Sequence, residues 1–561
     1  MGIPSYFAHI VRKHRKIIKK INTDSPKINN LYLDCNSFIY EAHQTIVNSM
    51  TEKQKKLYDL DIHLFEKDLI KVAQESLIKL VEQLKPNKRV LIAFDGVAPL
   101  AKLDQQRNRR YMSAFQSSID AENPQSSGAL KYKWNTSSIT PGTDFMEKLG
   151  QGFSTRFREP KTLGVELIMV STSGEAGEGE HKIYDYIRTN AAYHKETYTV
   201  IYGLDADLIM LTLNHLHISE NMFLFRETPE FIKSIDKTLN PNETYFLDIP
   251  LFARSIIKEM SCENSNKPVH EVSLQNDVLF DYIFMCFFLG NDFLPHFPAL
   301  NIRTSGINRL IDTYKAVFKK DGDTLTKDHV IVWKNVRRFL TEFAANELDY
   351  VKEEYGLREK ASKRAMYDNN DKDDMNLIPL KDRAVEIYIN PNEVGWESRY
   401  YQALFSTRIN DERRKEISTN FLEGLEWTFK YYSTGCADWR WSYKYNYPPL
   451  FADLIKYVPY FDTTLVALKE KQPVSPLVQL SYVLPPSSMV LLPSALKEKL
   501  LKEKPDWYVG NYIFHWAFCK FFWEAHVDLP DININELEKV VCFFFVCGRS
   551  PSKYIIIYIK Y

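Results

Sequence analysis

Four short apolar runs, each followed closely by an acid, constrain this fold more than any other feature. They are NNLYLDCN (29–36), RVLIAFDG (89–96), VELIMVST (165–172) and YTVIYGLD (198–205). Each holds four or five apolar residues rich in β-branched or aromatic types, the pattern of strands buried on both faces. Between the first two, residues 61–84 place Leu64, Phe65, Leu69, Val72, Leu77, Leu80, Val81 and Leu84 on one helical face. Strand, helix, strand predicts a parallel α/β sheet. No repeat at a period of about 20 to 50 residues is present, which argues against a solenoid or propeller.

At about 150 residues per domain, the 561-residue length leaves room for three or four domains. Hydrophobic residues make up 45% and charged residues 26%, which excludes a disordered, collagen-like or membrane-spanning chain. Lys and Arg together number 72, as do Asp and Glu, so net charge steers no partner and a polyanion must be held by local clusters. The 7 cysteines include no C-x-x-C pair, so neither a zinc site nor a disulfide framework is expected and a reducing compartment fits. The N-terminus lacks a secretory core, and no run approaches about 18 apolar residues. The expectation is a soluble, intracellular chain without a membrane partner, in the cytoplasm rather than the nucleus.

The acids fall in a pattern. Asp34 closes the first run, Asp95 the second, Glu178 and Glu180 follow the third, and Asp205 and Asp207 follow the fourth. Asp292 ends the apolar stretch 282–289 through Gly290 and Asn291. An acid after a strand commonly caps the next helix, and any one of these could do only that. As a set they fit one shared site better, because the carboxyl ends of strands in an open α/β sheet line a single crevice. Carboxylates gathered there repel one another unless cations lie among them. Oxygen-only ligands suit Mg²⁺ or Mn²⁺. Two such ions about 4 Å apart clamp the attacking and leaving oxygens of a phosphoryl displacement, which is nuclease chemistry. The glycines of GEAGEGE (174–180) match no phosphate-binding loop; they let the chain turn so that its glutamates reach metal. His181, which follows, reads as a helix-start residue.

Just beyond Asp95, in VAPLAKLDQQRNRRYMSAF (97–115), Lys102, Gln106, Arg109 and Arg110 can share a helical face. Guanidinium groups bind phosphate oxygens bidentately, so this cluster is either a solvated basic helix or, beside a metal site, a pocket for a terminal phosphate. The basic stretch 12–20 reads mainly as a solvated helix face, with contacts to a nucleic-acid backbone as the alternative. The aromatic block 427–447 is mostly core, with one or two rings free to stack on bases.

Taken together, MGIPSYF, LYLDCNSFIY, FDGVAPLAKLDQQRNRR, ITPGTDFM, GEGEHKI, YGLDADLIML and FFLGNDFLPHFP resemble the XRN-type 5′-to-3′ exoribonucleases, in order and context. GLEWTFKYYSTGCADWRWSYKYNYPP and PLVQLSYVLPPSS resemble that family's second core region. The likeness spans nearly all of residues 1–540. It implies a processive enzyme that uses Mg²⁺ or Mn²⁺, two ions in all, to release nucleotides from single-stranded RNA bearing a 5′-monophosphate. By the same resemblance, Asp34, Asp95, Glu178, Glu180, Asp205, Asp207 and Asp292 match the metal-binding acids. Lys102, Gln106, Arg109 and Arg110 match the 5′-phosphate pocket, and Tyr40 and Trp441 the pair that stacks the terminal base. Tyr40 stands where the family usually has His, and Asp104 where it usually has Asn.

The fold expected is α/β: a parallel-sheet nuclease core, PIN- or flap-nuclease-like, with helices on both faces, and a mainly helical second region packed on it. Its boundaries are placed at 1–354 for the core, 355–385 for a polar linker, 386–540 for the second region and 541–561 for an apolar tail without assigned role. That compactness resembles a member holding mainly the two core regions. Two rivals stand beside the exoribonuclease: a structure-specific 5′ nuclease on DNA, like the flap endonucleases, and a catalytically silent RNA-binding scaffold.

Overall fold

In the computed structural model the described residues are 2–20, 27–122, 134–203, 205–226, 237, 239–240, 243–261, 268–274, 277–318, 322–367, 375–405, 410–510 and 512–547. The four expected strands form, as β2 (Asn30–Asp34), β3 (Arg89–Ala93), β4 (Leu167–Ser171) and β5 (Thr199–Tyr202). Three more join them: β1 (Ile18–Lys20), β6 (Met222–Phe225) and β7 (Tyr245–Leu247). The order is β1-β7-β6-β5-β2-β3-β4. The five strands from β6 to β4 run parallel, and β7 and β1 close one edge antiparallel.

The period-two alternation of each strand sends its side chains to opposite faces. Tyr32, Leu91 and Ile201 enter one core, whereas Leu31, Leu33, Val90, Ile92, Val200 and Tyr202 enter the other. Both faces are covered, as the continuous apolar runs require. The helix Ile62–Leu84 starts on the Asp61 side chain, which accepts from His63 N. It buries Phe65, Leu69, Leu77, Leu80, Val81 and Leu84 in the second core, while Leu64 and Val72 remain half-buried. Asn30, fully buried, pins β2 to the neighbourhood of β5 by donating to Thr197 Oγ1 and Thr199 Oγ1, each at 3.0 Å.

Several boundaries differ from expectation. The sheet is complete at Leu247, and from Ile249 onward the described elements are helices apart from two small two-stranded ribbons. The α/β part therefore ends well before residue 354. Residues 355–367, expected to open a polar linker, instead continue the helix Trp333–Tyr367. One of their charges is partnered across the fold: Arg358, with Arg383 from beyond the helix, converges on the buried Glu386, with Nε–Oε2 distances of 2.9 and 2.7 Å. Polarity there reflects a buried ion cluster as well as solvent. The basic stretch 12–20 is not one helix: it divides among the helix Tyr6–Lys13, a 3₁₀ turn at Arg15–Ile17 and β1. Lys13 and Lys20 in it pair with Glu259 and Glu243, each at 2.6 Å. Of the 541–561 tail, residues to Cys547 end the helix Ile534–Cys547, and the remainder lies outside the described residues.

The helical region is joined to the sheet through the helix Leu100–Glu122. Pro99 ends the extended stretch before it. Ala98 N donates to Gln479 Oε1 (3.1 Å) and Leu100 N to Trp439 O (3.0 Å). Arg107, buried, donates to Pro530 O (2.8 Å), and Asn108 exchanges bonds with Ala525 O and Val527 N. Among the described residues no helix is long and apolar enough to cross a membrane.

Candidate active site

The strand order reverses at β2, with β3 on one side and β5 on the other, so a crevice opens above their carboxyl ends. Asp34 is the last residue of β2, Asp95 lies two residues past β3, and Asp205 three past β5. Glu178 and Glu180 flank the start of the helix Gly179–Thr189, and Asp207 begins the helix Asp207–His215. Asp292 arrives from the helical region, after the helix Asp277–Cys286 and the turn Phe287–Leu289.

The seven acids interact as one group. Burial first, then the charges of Asp95, Asp205 and Glu178, raises the Asp34 carboxyl well above its usual range. Burial and then Asp207, Asp205 and Glu178 do the same to Glu180. Asp207, pushed up to about 8 by burial, also feels Asp205 and Asp292. Lys102 divides the set: its Nζ lies 2.5 Å from Glu178 Oε1 and 2.8 Å from Asp292 Oδ2. Burial would raise Asp292, but this ammonium overrides it and holds the carboxyl low.

Backbone geometry accommodates the crowding. Gly179 N donates to Asp95 Oδ1 (2.7 Å), and a Cβ on Gly179 would stand 2.7 Å from Asp34 Oδ1. Gly2, at φ +53°, lies against Asp207, where a Cβ would meet Oδ1 at 2.0 Å. These two close approaches account for Gly179 of GEGE and for the glycine of the N-terminal MGIPSYF. Glu175, the remaining glutamate of that loop, instead accepts from Ser171 Oγ at 2.5 Å.

Whether these residues suit a cation can be read from their oxygens. Asp34 Oδ1 and Asp207 Oδ1 are buried without a hydrogen-bond partner, and the donors are all carboxylate, the chemistry of hard divalent ions. Among the described residues no three such side chains are already arranged as a ligand shell. Protein groups occupy several of them: the Lys102 ammonium draws Glu178 and Asp292 to itself, and Asn36 and Gly179 N take Asp95. The residues fit a divalent ion once Glu178 Oε1 and Asp292 Oδ2 release Lys102.

The basic and aromatic candidates divide. Arg109 is exposed and lies in the wall of a cavity of about 1080 Å³ together with Asp104, Arg440, Trp441, Lys444 and Asp292, the one of the seven acids that lines it. Lys102, Gln106, Arg110 and Tyr40 are not in that wall. Gln106 Oε1 faces Gln479 Nε2 at 3.5 Å, and Arg110 Nη1 donates to Ser137 O at 3.4 Å. Tyr40, 49% exposed, lies within the electrostatic reach of Arg110 and Arg109. Trp441, only 9% exposed, is stacked on Trp427 at 5.2 Å. Asp104 accepts from the Tyr482 hydroxyl, and burial raises its carboxyl. The helical region thus supplies a hydroxyl to this unusual acid.

Three participants escaped the sequence reading. Asn36 brackets Asp95, donating from Nδ2 to Oδ2 (2.7 Å) and accepting from Asp95 N (3.2 Å). Lys182 donates to Phe94 O and Thr172 O, each at 2.8 Å, and burial lowers its ammonium to about 8. Tyr431 donates to Glu178 Oε2 at 2.6 Å. Asn36 had a signal, lying two residues past Asp34; Tyr431 is one of 33 tyrosines and had none.

With this geometry in place, the likenesses to known proteins can be stated. The profile of the XRN 5′-3′ exonuclease N-terminus matches residues 1–228, and that of the Xrn1 helical domain matches 274–387 and 381–541. The chain belongs to the XRN family of 5′-3′ exonucleases. Among its relatives is a 5′-3′ exoribonuclease 2 homolog of Drosophila melanogaster, 28% identical, the match covering 97% of this chain and 71% of the relative. The 5′-3′ exoribonuclease 2 of Gallus gallus is 25% identical, with 96% and 70% covered. The 5′-3′ exoribonuclease 1 of Schizosaccharomyces pombe is 26% identical, covering 96% of this chain and 48% of that protein.

Proposed function

We propose that this protein is a 5′-to-3′ exoribonuclease that hydrolyses 5′-monophosphorylated single-stranded RNA processively to nucleoside 5′-monophosphates. Membership of the XRN family supports the general activity. The observation that carries the chemical reading is that Asp34 Oδ1 and Asp207 Oδ1 are buried without partners while burial and neighbouring carboxylates raise both acids. Asp34, Asp95, Glu178, Glu180, Asp205, Asp207 and Asp292 would hold two Mg²⁺ or Mn²⁺ ions. When bound, such ions lower the pKa of water and neutralise a leaving oxygen.

The remaining groups position the RNA. Arg109 and Arg110, with Gln106 and Lys102 behind them, would hold the 5′-phosphate, and Tyr40 and Trp441 would flank the terminal base. Lys102 stands where the pocket meets the acids, so a phosphate arriving there competes with Glu178 and Asp292 for its ammonium.

The test compares hydrolysis of 5′-phosphate RNA, 5′-hydroxyl RNA and flapped DNA in the presence of Mg²⁺. Preference for the first is expected, and equal rates on all three would remove the substrate assignment. Asp205→Ala should abolish turnover while RNA binding stays within about tenfold. Arg109→Ala should narrow the preference for 5′-phosphate over 5′-hydroxyl ends, and an unchanged ratio would mean that the pocket lies elsewhere.

A further inference from the structure

One contact ties the acids to the aromatic block. Besides donating to Glu178 Oε2 at 2.6 Å, Tyr431 has its ring held on both faces. His181 stacks on it at 3.7 Å and 25°, and Trp427 at 4.8 Å and 24°. Trp427 in turn stacks on Trp441 at 5.2 Å and 25°. Trp427 and Tyr431 are four residues apart on the helix Asp411–Ser433 and so share a face. Phe293, adjacent in sequence to Asp292, meets Tyr431 and Trp427 edge-on at 5.5 and 5.0 Å. The pile of rings is anchored along its length: Trp427 Nε1 donates to Asp438 O (2.8 Å) and Trp441 Nε1 to Glu423 Oε2 (3.3 Å), and the Trp441 edge rests on the backbone at Gly424.

Glu178 is therefore gripped from two sides. Lys102 takes Oε1, and Tyr431, from the helical region, takes Oε2. A tyrosine clamped between two rings and met edge-on by a third has one available pose, so its hydroxyl is a fixed donor. Donors of this kind orient a ligating carboxylate, and removing them commonly costs 10- to 100-fold in metal affinity or activity.

We infer that Tyr431 is a positioning residue: its hydroxyl sets the orientation in which Glu178 meets a divalent ion, and the ring pile holds that hydroxyl in place. The inference rests on the nuclease reading above. Tyr431→Phe keeps the stacked ring and deletes only the O–H. On the full chain, Mn²⁺ binding followed by electron paramagnetic resonance should weaken about tenfold, with the thermal midpoint unchanged. On 5′-phosphate RNA, kcat should fall at least tenfold with KM unchanged. In a Glu178→Gln background the same substitution should cost no further Mn²⁺ affinity, since the two side chains act together. Mn²⁺ affinity within twofold of wild type, or a full additional loss in the Glu178→Gln background, would overturn the assignment. Failure of the nuclease reading would show separately, as a wild type that binds Mn²⁺ yet releases no nucleotide, while the Mn²⁺ measurements still decide the role of Tyr431.

Discussion

Lys102 stands between opposing influences. Burial opposes its charge, but Asp292 and Glu178 more than compensate and hold the ammonium protonated. Removing one partner of a buried ion pair costs about 3 to 5 kcal/mol because the other charge is left uncompensated. Lys102→Met should therefore lower stability to urea by about 3 kcal/mol in EDTA, and added Mg²⁺ should restore much of it by supplying the missing charge. Equal losses with and without Mg²⁺ would show that the lysine and a metal do not share these carboxylates. At this scale the acids were readable because each one ends or follows an apolar run. Their supports were not, since the value of Asn36 or Tyr431 lies in a partner 59 or 253 residues away.

Secondary structure elements were legible where burial and periodicity agreed. The four long apolar runs became the parallel strands, and 61–84 became a helix. Strands β1 and β7 are only three residues long, too short for alternation to register. The stretch 355–367 misled because a charged text of good helix formers reads alike in a linker and in a helix one of whose arginines, Arg358, pairs across the fold. Local geometry also gives a prediction at this scale. The turn into the helix Gly179–Thr189 places backbone where a methyl would reach 2.7 Å from Asp34 Oδ1 and 3.2 Å from Ala93 O. Gly179→Ala should displace the Asp34 carboxylate and lower kcat on 5′-phosphate RNA by about 100-fold, with an unchanged circular dichroism spectrum. Normal turnover would mean that the strand end yields without cost.

Across the whole molecule, acids remote from the crevice set a pH response of their own. Glu347 is fully buried and accepts from Phe451 N and Ala452 N, yet burial pushes it up to about 8; Asp281, with four donors of its own, rises to about 7. A carboxyl whose pKa is higher folded than unfolded contributes stability below the unfolded value, and loses it as pH rises through the folded value. The thermal midpoint should accordingly fall as pH climbs from about 5 to about 9. Glu347→Gln should flatten the upper part of that decline, and an identical slope would remove Glu347 as a contributor.

The helix Leu100–Glu122 has a practical consequence for anyone who would shorten this chain. It leaves the sheet at Pro99 and is fastened by Arg107 and Asn108 to residues beyond 500. A fragment cut after the last strand would keep most of the carboxylates but forfeit Asp292, the tyrosine hydroxyl and the cradle for its own basic helix. Catalysis and folding have been placed under a single lock, and neither half of the polypeptide holds the whole key.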